Sequence, residues 1–517
     1  MEIKTQFMAL GKKKNNNIHE DNVGVDRIAN YLSDFGFRAK LTFVYTDEDI
    51  KNSIDSIDFD YNFFGITLHS ENVDFVVELS KMIKEVAPDA VIFVGSIFAT
   101  FAAREIIDAC DNIDFVVLGH GDIPLKLLYQ DIRDNKKSLK QALNDSPYIL
   151  CRNKESFVEP CYSNINIHSL PGRKYLANID KTVVCIIGSH GCYGKCTFCS
   201  VPESGAKVSE RSADDIFNEI ERLHLKNKIS FFYFLDSAIE GFGAQGKKRL
   251  KSLCELIIKS KYKISFRAFI RSESFQDTKE DIELLGLIRK AGFVNLIIGI
   301  ESGNDNDLKV YNKLCSLNDN KRCLALFDFM NFEIILGYII LNPYTTYDDL
   351  QKNYDLLNES KFSLLHNYIN CLQVNYNTPI FHRLKKDGLL MDFSFKSNGY
   401  EYNCVDERTQ KVFEFIKDNF LESEISQKDF QFHNQITHIY YLLNVLDNTD
   451  EFSNEIASVR CTINSLCKDF FKILIKDYEL IESKKCLNNF IGSLTEQYHK
   501  VEAINYKLLK RYLTLIN

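Results

Sequence analysis

Three cysteines fall within eight residues, as Cys192-x3-Cys196-x2-Cys199, in the stretch Gly188-Ser189-His190-Gly191-Cys192-Tyr193-Gly194-Lys195-Cys196-Thr197-Phe198-Cys199-Ser200. Thiolates at that density bind metal. Structural zinc closes with four tetrahedral ligands, and His190 is near enough in sequence to complete a Cys3His set. Zinc sites usually join a Cys-x2-Cys pair to a second, distant pair, and no such partner follows downstream. Iron-sulfur clusters are also held by thiolates, normally four for a four-iron cluster. Three thiolates would leave one iron open to a substrate or cofactor. The spacing alone leaves both readings standing.

A loop of this kind needs a strand to carry it, and the apolar run Thr182 to Ile187 supplies one. From 181 onward the pattern is repetitive β/α. The predicted strands are Val183 to Ser189, Phe231 to Asp236, Ile264 to Arg271, Leu296 to Glu301, Ile334 to Leu341 and His366 to Val374. Helical stretches lie between them: Ala213 to Leu225, Lys247 to Lys259, Asp281 to Ala291, Asn320 to Met330 and Tyr347 to Asn358. Six such units predict a partial (β/α)6 barrel. In the eightfold relative, chemistry sits at the carboxyl ends of the strands. The cysteine loop, Asp236-Ser237, Arg271, Glu301-Ser302-Gly303 and Asn342-Pro343 all fall at those ends. Any one could be a helix cap; five on one rim point to a site.

Residues 1–135 alternate strands and helices and predict a doubly wound, Rossmann-like parallel sheet. Its strands are Ile3 to Leu10, Arg38 to Val44, Tyr61 to Leu68, Ala90 to Gly95 and Asp114 to Leu118. Ligands in such sheets lie beyond the carboxyl ends of the strands. The small residues there are Thr67, Gly95, Ser96, Gly119 and Gly121, which suit either a bulky ligand or tight turns. Residues 136–180, with His168, read as a polar linker. Residues 181–395 form the barrel and 396–517 a helical region, expected as a substrate or cap domain. Cys461, Cys467 and Cys486 there match no Cys-x2-Cys pair.

The chain's 517 residues exceed a single core, and 45% hydrophobic with 26% charged residues is ordinary globular composition. A net charge of −8 offers no basic field for nucleic acid or a membrane surface, and Lys12-Lys13-Lys14 reads as a solvated loop. Met1 to Leu10 lacks the apolar core of a secretory signal, and no run approaches the ~20 residues of a membrane span. The expectation is a soluble, cytoplasmic protein with no nucleic-acid or membrane partner. Fifteen cysteines in a reducing compartment are then metal ligands or small core residues, and Cys110, Cys254, Cys323 and Cys371 read as core.

The Cys-x3-Cys-x2-Cys motif with Phe198 before its last cysteine resembles the signature of the radical S-adenosylmethionine (SAM) superfamily. Gly299-Ile300-Glu301-Ser302-Gly303 and Tyr376-Asn377-Thr378-Pro379 are similar to later motifs of the same barrel. Asn342-Pro343-Tyr344-Thr345-Thr346 resembles its fifth-strand turn, with Tyr344 in place of the usual glycine. The resemblance implies a [4Fe-4S] cluster on Cys192, Cys196 and Cys199, whose open iron binds the amino and carboxylate groups of SAM. Reductive cleavage would give methionine and a 5′-deoxyadenosyl radical, with electrons from a flavodoxin- or ferredoxin-type donor. Phe198 would touch adenine, Asp236 and Ser237 would stand at the SAM ammonium, and Arg271, Glu301 and Asn342 would be neighbouring polar groups.

The front domain resembles the cobalamin-binding domain of many such enzymes. Gly95-Ser96 stands where they carry Gly-Gly, and Gly119-His120-Gly121-Asp122 where they carry Gly-Glu-Gly-Glu. The Asp-x-His-x-x-Gly motif of other cobalamin proteins is not present. The resemblance implies cobalamin-dependent methylation of an unactivated carbon in a small natural product or peptide. A non-methylating cyclisation, rearrangement or oxidation on the same architecture is the alternative, and a non-catalytic zinc protein the second. No earlier cysteine set precedes Cys192 in the pattern of a methylthiotransferase.

Overall fold

The computed structural model describes residues 2–11, 19–20, 23–46, 49–69, 72–152, 154, 158–164, 173, 182–203, 207–394, 399–421, 423–446, 449–476 and 484–516. The basic run at 12–14 and His168 of the expected linker lie outside the described residues.

The front sheet has six strands in the order β3-β1-β4-β5-β6-β7. They are β1 (Lys4–Gly11), β3 (Arg38–Tyr45), β4 (Phe63–Thr67), β5 (Val91–Gly95), β6 (Phe115–Val117) and β7 (Ile149–Cys151). The first five are parallel, and β7 pairs with β6 antiparallel. All five residues of β4 are buried, as a strand covered on both faces must be. Separate apolar clusters fill the two faces, one around Phe64, Val76 and Ile107, the other around Phe63, Leu128 and Tyr129.

The second sheet runs β14-β13-β12-β11-β8-β2. Its strands are β2 (His19–Glu20), β8 (Thr182–Ile186), β11 (Phe231–Phe234), β12 (Ser265–Arg271), β13 (Phe293–Glu301) and β14 (Ile334–Tyr338). All neighbours are parallel. Five strands belong to the barrel, and β2 reaches across from the front region to pair with β8. Two short hairpins complete the strands: β9 (Ser189–His190) with β10 (Ser209–Glu210), and β15 (Leu390–Ser394) with β16 (Gly399–Tyr402). The β15–β16 hairpin touches the front domain, where Tyr400 Oη donates to Glu105 Oε1 at 2.5 Å.

The sixth strand expected at His366 to Val374 is instead the helix Leu365–Ile369 followed by an irregular segment. Its polar side chains explain the change. Asn367 Oδ1 accepts from the Leu364 amide at 2.9 Å and starts the helix. Asn367 Nδ2 donates to Leu336 O at 2.9 Å and Asn370 Nδ2 to Tyr338 O at 2.5 Å. Side-chain donors thus satisfy the β14 edge carbonyls that a sixth strand would have paired. The following residues lie beside the end of the fifth strand, with Ile340 N–O Asn370 and Leu372 N–O Leu341 at 3.0 Å.

The helices Glu424–Val445, Asp450–Lys476 and Lys484–Ile516 form the tail. Expected as a cap over the site, they meet the amino ends of the barrel strands, and Asp450–Lys476 runs along the barrel to Tyr347, whose Oη donates to Ile475 O at 2.7 Å. Ser265 Oγ donates to Tyr441 O at 3.1 Å, Asn444 Nδ2 to Ile264 O at 3.0 Å, and Tyr441 stacks on Phe231 at 5.4 Å. Barrel and tail share one continuous apolar core. The aromatic periodicity that makes these helices amphipathic is spent on that joint. No helix among the described residues is long and apolar enough to cross a membrane.

Candidate active site

The cysteine loop leaves β8 through β9 and is pinned from below by Asp236. This carboxylate, fully buried just past β11, accepts from the Gly188 amide at 2.8 Å and from Ser189 Oγ at 2.6 Å. Burial raises its pKa, and those two donors with the nearby Arg249 oppose the rise. Asp236, expected at a SAM ammonium, spends both oxygens on the loop's own base. Ser237 beside it is half-buried.

Within the loop, the Gly194 amide donates to Cys192 Sγ at 3.3 Å, and Cys199 N reaches Cys196 O at 3.1 Å to close a turn. Cys196 is buried, and Cys192 and Cys199 are partly open. Burial pushes the Cys199 thiol up to about 11. Burial also raises Cys196, while the charges of Lys313 and Arg271 work the other way. Arg271, at the end of β12, lies over Tyr193 and pairs with Glu273. A Cβ on Gly194 would stand 2.2 Å from Arg271 Nη1, so glycine is what admits the guanidinium to the loop. Lys313, almost wholly buried, binds Glu301 Oε1 at 3.1 Å. Burial lowers its pKa, but Glu301 and Cys196 outweigh that and raise it. Glu301 itself takes φ 63° at the end of β13, turning its side chain to the rim. Two cations therefore flank three thiols.

Phe198 packs edge-on against Tyr311, ring centroids 5.4 Å apart. Asn342 is fully buried: its Nδ2 donates to Asp307 Oδ1 at 2.7 Å and Tyr311 Oη at 3.1 Å, and its Oδ1 accepts from Tyr344 N. It holds the rim's backbone in place. Glu240 Oε2 and Glu273 Oε2 are buried on the same rim without hydrogen-bond partners.

His190 turns away from the cysteines. Its Nε2 is 2.9 Å from Arg27 Nη1 and its Nδ1 is 3.3 Å from Ser163 O. Burial, with His120 and Arg27 beside it, pushes its pKa down to about 3. Both ring nitrogens are engaged toward the front domain, so the Cys3His zinc set lacks its fourth ligand. Arg27 also binds Asp122 Oδ2 at 3.1 Å, and Ser163 Oγ donates to the same oxygen at 3.0 Å. This buried network joins the two α/β units.

Above it lies a cavity of about 340 Å³ at the carboxyl ends of the front strands. Thr67, Gly95, Ser96, Gly119 and Gly121 all line it, together with Gly24, His69, His120, Ile187 and His190. Thr67 Oγ1 accepts from Leu10 N at 3.3 Å, and Ser96 Oγ caps the next helix by accepting from Ala99 N at 2.9 Å. Gly119, at φ 78°, is demanded by the chain itself, because a Cβ would meet Cys161 O at 2.3 Å. Gly24 has open space, and Gly95 has nothing nearer than 3.8 Å. Their smallness serves the cavity and not the packing.

A family model described as the B12 binding domain matches residues 18–128, and one described as the radical SAM superfamily matches residues 186–357. The second match contains the cysteine loop and the whole rim up to Asn342. The chain is a radical SAM protein with an N-terminal B12 binding domain. Among curated relatives, the anaerobic magnesium-protoporphyrin IX monomethyl ester cyclase of Cereibacter sphaeroides is 25% identical over 356 residues, covering 63% of this chain and 53% of that protein. The hopanoid C-2 methylase of Rhodopseudomonas palustris is 21% identical over 257 residues, covering 49% and 47%. The chain spans about half the length of the curated relatives it matches. The solved structure of the cobalamin-dependent S-adenosylmethionine radical enzyme OxsB, with aqua-cobalamin and S-adenosylmethionine bound, superposes with a TM-score of 0.72 at 17% identity. It covers 99% of this chain and 80% of that one, a likeness of fold.

The cofactor set of these domains is a [4Fe-4S] cluster, SAM and cobalamin. The radical SAM protein's own residues fit it. Three thiols beside Arg271 and Lys313 suit an anionic thiolate cluster. The unpartnered Glu240 and Glu273 oxygens suit a donor-rich ligand such as SAM. The cavity kept open by Gly24 and Gly95 suits a broad ligand laid against backbone. Sequence reading missed Arg27, Ser163, Glu240, Glu273 and Lys313. Lys313 stands twelve residues after Glu301, with Lys309 between, and nothing in the spacing says that Lys313 and Glu301 meet.

Proposed function

We propose that this chain is a cobalamin-dependent radical SAM enzyme that methylates an unactivated carbon of a small natural product or peptide. The observation that carries the reading is a cavity lined both by front-domain residues and by Ile187 and His190, five and two residues before Cys192. Cofactors of the two domains would meet there. When bound, the cluster with SAM supplies one-electron cleavage of a sulfonium, and cobalamin supplies a carrier for a methyl group. Cys192, Cys196 and Cys199 would hold the cluster. Arg271 and Lys313 would balance its charge, and Asp236 would hold the loop's base against β11. The Arg27–Asp122–Ser163–His190 network would fix the angle between the two domains and exclude water from the junction. Electrons would come from a flavodoxin- or ferredoxin-type donor.

A non-methylating cyclisation or oxidation is the second reading, favoured by the cyclase relative. Anaerobically reconstituted, cobalt-loaded protein given reductant and methyl-deuterated SAM separates the two. Methyl transfer predicts S-adenosylhomocysteine alongside 5′-deoxyadenosine. 5′-Deoxyadenosine alone, with cobalt present, sinks the methylation reading and keeps the second.

A further inference from the structure

His366, Asp429 and His433 each bring one donor atom to within 4.8 Å of the others. His366 lies on the helix Leu365–Ile369 beside β14. Asp429 and His433 lie one turn apart on the tail helix Glu424–Val445, so both face the same way. Asp429 Oδ2 and His433 Nε2 are 3.6 Å apart. Ligands at ~2.0–2.2 Å from a tetrahedral zinc stand roughly 3.5 Å from one another, so this pair already has the required separation.

The unspent atoms point the same way. His366 Nδ1 and His433 Nε2 are both buried with no hydrogen-bond partner. His366 Nε2 lies 3.3 Å from Leu336 O and 2.8 Å from Asn367 Nδ2, so Nδ1 is its unspent nitrogen. Asp429 Oδ1 accepts from Tyr498 Oη at 2.6 Å, the carboxylate also takes the His366 backbone amide, and Oδ2 lies 3.6 Å from His433 Nε2. Metal-binding imidazoles and carboxylates are usually oriented by such outer hydrogen bonds. The facing cations are largely committed: Arg460 is paired with Glu333, and Arg267 lies over the Tyr233 ring at 4.8 Å. The imidazole rings of His366 and His433 meet edge to face at 4.1 Å. Cys467 on the helix Asp450–Lys476 is also buried, and Asp429 adds to the rise of its thiol pKa.

We propose that His366, Asp429 and His433 form a second metal site, for a borderline divalent transition ion such as Zn2+, that clamps the tail helices to the barrel. Two imidazoles and one carboxylate are a donor set for such ions and not for Mg2+ or Ca2+. Three protein ligands leave the fourth tetrahedral position to water, and the ion's role is to join the helices Leu365–Ile369 and Glu424–Val445.

The test uses full-length protein carrying Cys192→Ala, Cys196→Ala and Cys199→Ala together, so that the loop holds no metal. After zinc loading and dialysis against a weak chelator, elemental analysis should find about one zinc per chain. Adding His366→Ala and His433→Ala should remove it. Because those variants can fail to fold, Co2+ titration of the protein lacking the three loop cysteines provides a second readout. Tetrahedral d–d absorption without a thiolate charge-transfer band supports the triad. Zinc retained without both histidines, or no zinc and no cobalt spectrum in the protein lacking the three loop cysteines, overturns the proposal.

Discussion

At the carboxyl ends of the barrel strands, charge is concentrated and left partly unspent. Arg271, Glu273, Lys313, Glu301 and Glu240 crowd three thiols, and two carboxylate oxygens there find no protein partner. At the amino ends the strands meet the tail through aromatic stacking and backbone-directed hydrogen bonds, such as Phe231 on Tyr441 and Asn444 on Ile264. The same five strands thus carry a reactive rim and a stabilising floor. Burying a charge is costly unless it is paired, so an unpartnered carboxylate oxygen persists only where something outside the chain uses it.

That contrast can be broken at several points, and the effects should fall in order. Cys196→Ala should abolish cluster iron and 5′-deoxyadenosine formation altogether, while circular dichroism of the folded protein stays near wild type; a variant that keeps both iron and cleavage would remove the loop from the chemistry. Lys313→Ala leaves Glu301 without its cation in a site 15% exposed, and breaking such a pair costs about 3–5 kcal/mol. Denaturant unfolding should show that loss together with slower SAM cleavage. At the floor, Tyr441→Phe removes a 3.4 Å bond to Phe232 O and keeps the stack on Phe231. It should lower stability by about 1 kcal/mol and leave iron content and SAM cleavage unchanged. A floor variant that alters cleavage as much as Lys313→Ala would erase the distinction between the two ends.

The sequence reads well where chemistry is local. Cysteine spacing locates the cluster loop without any structure, because three ligands on one turn must be close in sequence. The buried strands β4 and β12 follow from short apolar runs, and the front glycines from turns at strand ends. What spacing cannot convey is where side chains point across long loops. His190 is two residues from Cys192 yet bonds Arg27, 163 positions away. Lys313 needs the fold to reach Glu301 and Cys196. The apolar run at 365–372 looks like a strand until Asn367 and Asn370 cap the helix and serve the β14 edge. The two-residue strand β2 is too short for any periodicity to reveal. The tail's aromatic periodicity announces helices, but which end of the barrel they cover depends on contacts such as Ser265 with Tyr441.

One chain is proposed to hold an iron-sulfur cluster and cobalamin around a shared cavity. Iron, sulfide, cobalt and zinc measured on anaerobically reconstituted, cobalamin-supplied protein test this directly. The expected result is about four iron and four sulfide with one cobalt per chain, the iron and sulfide lost in Cys196→Ala and the cobalt retained. Zinc in the cysteine loop without iron or sulfide, or a cluster-loaded protein that takes up no cobalt, would contradict it.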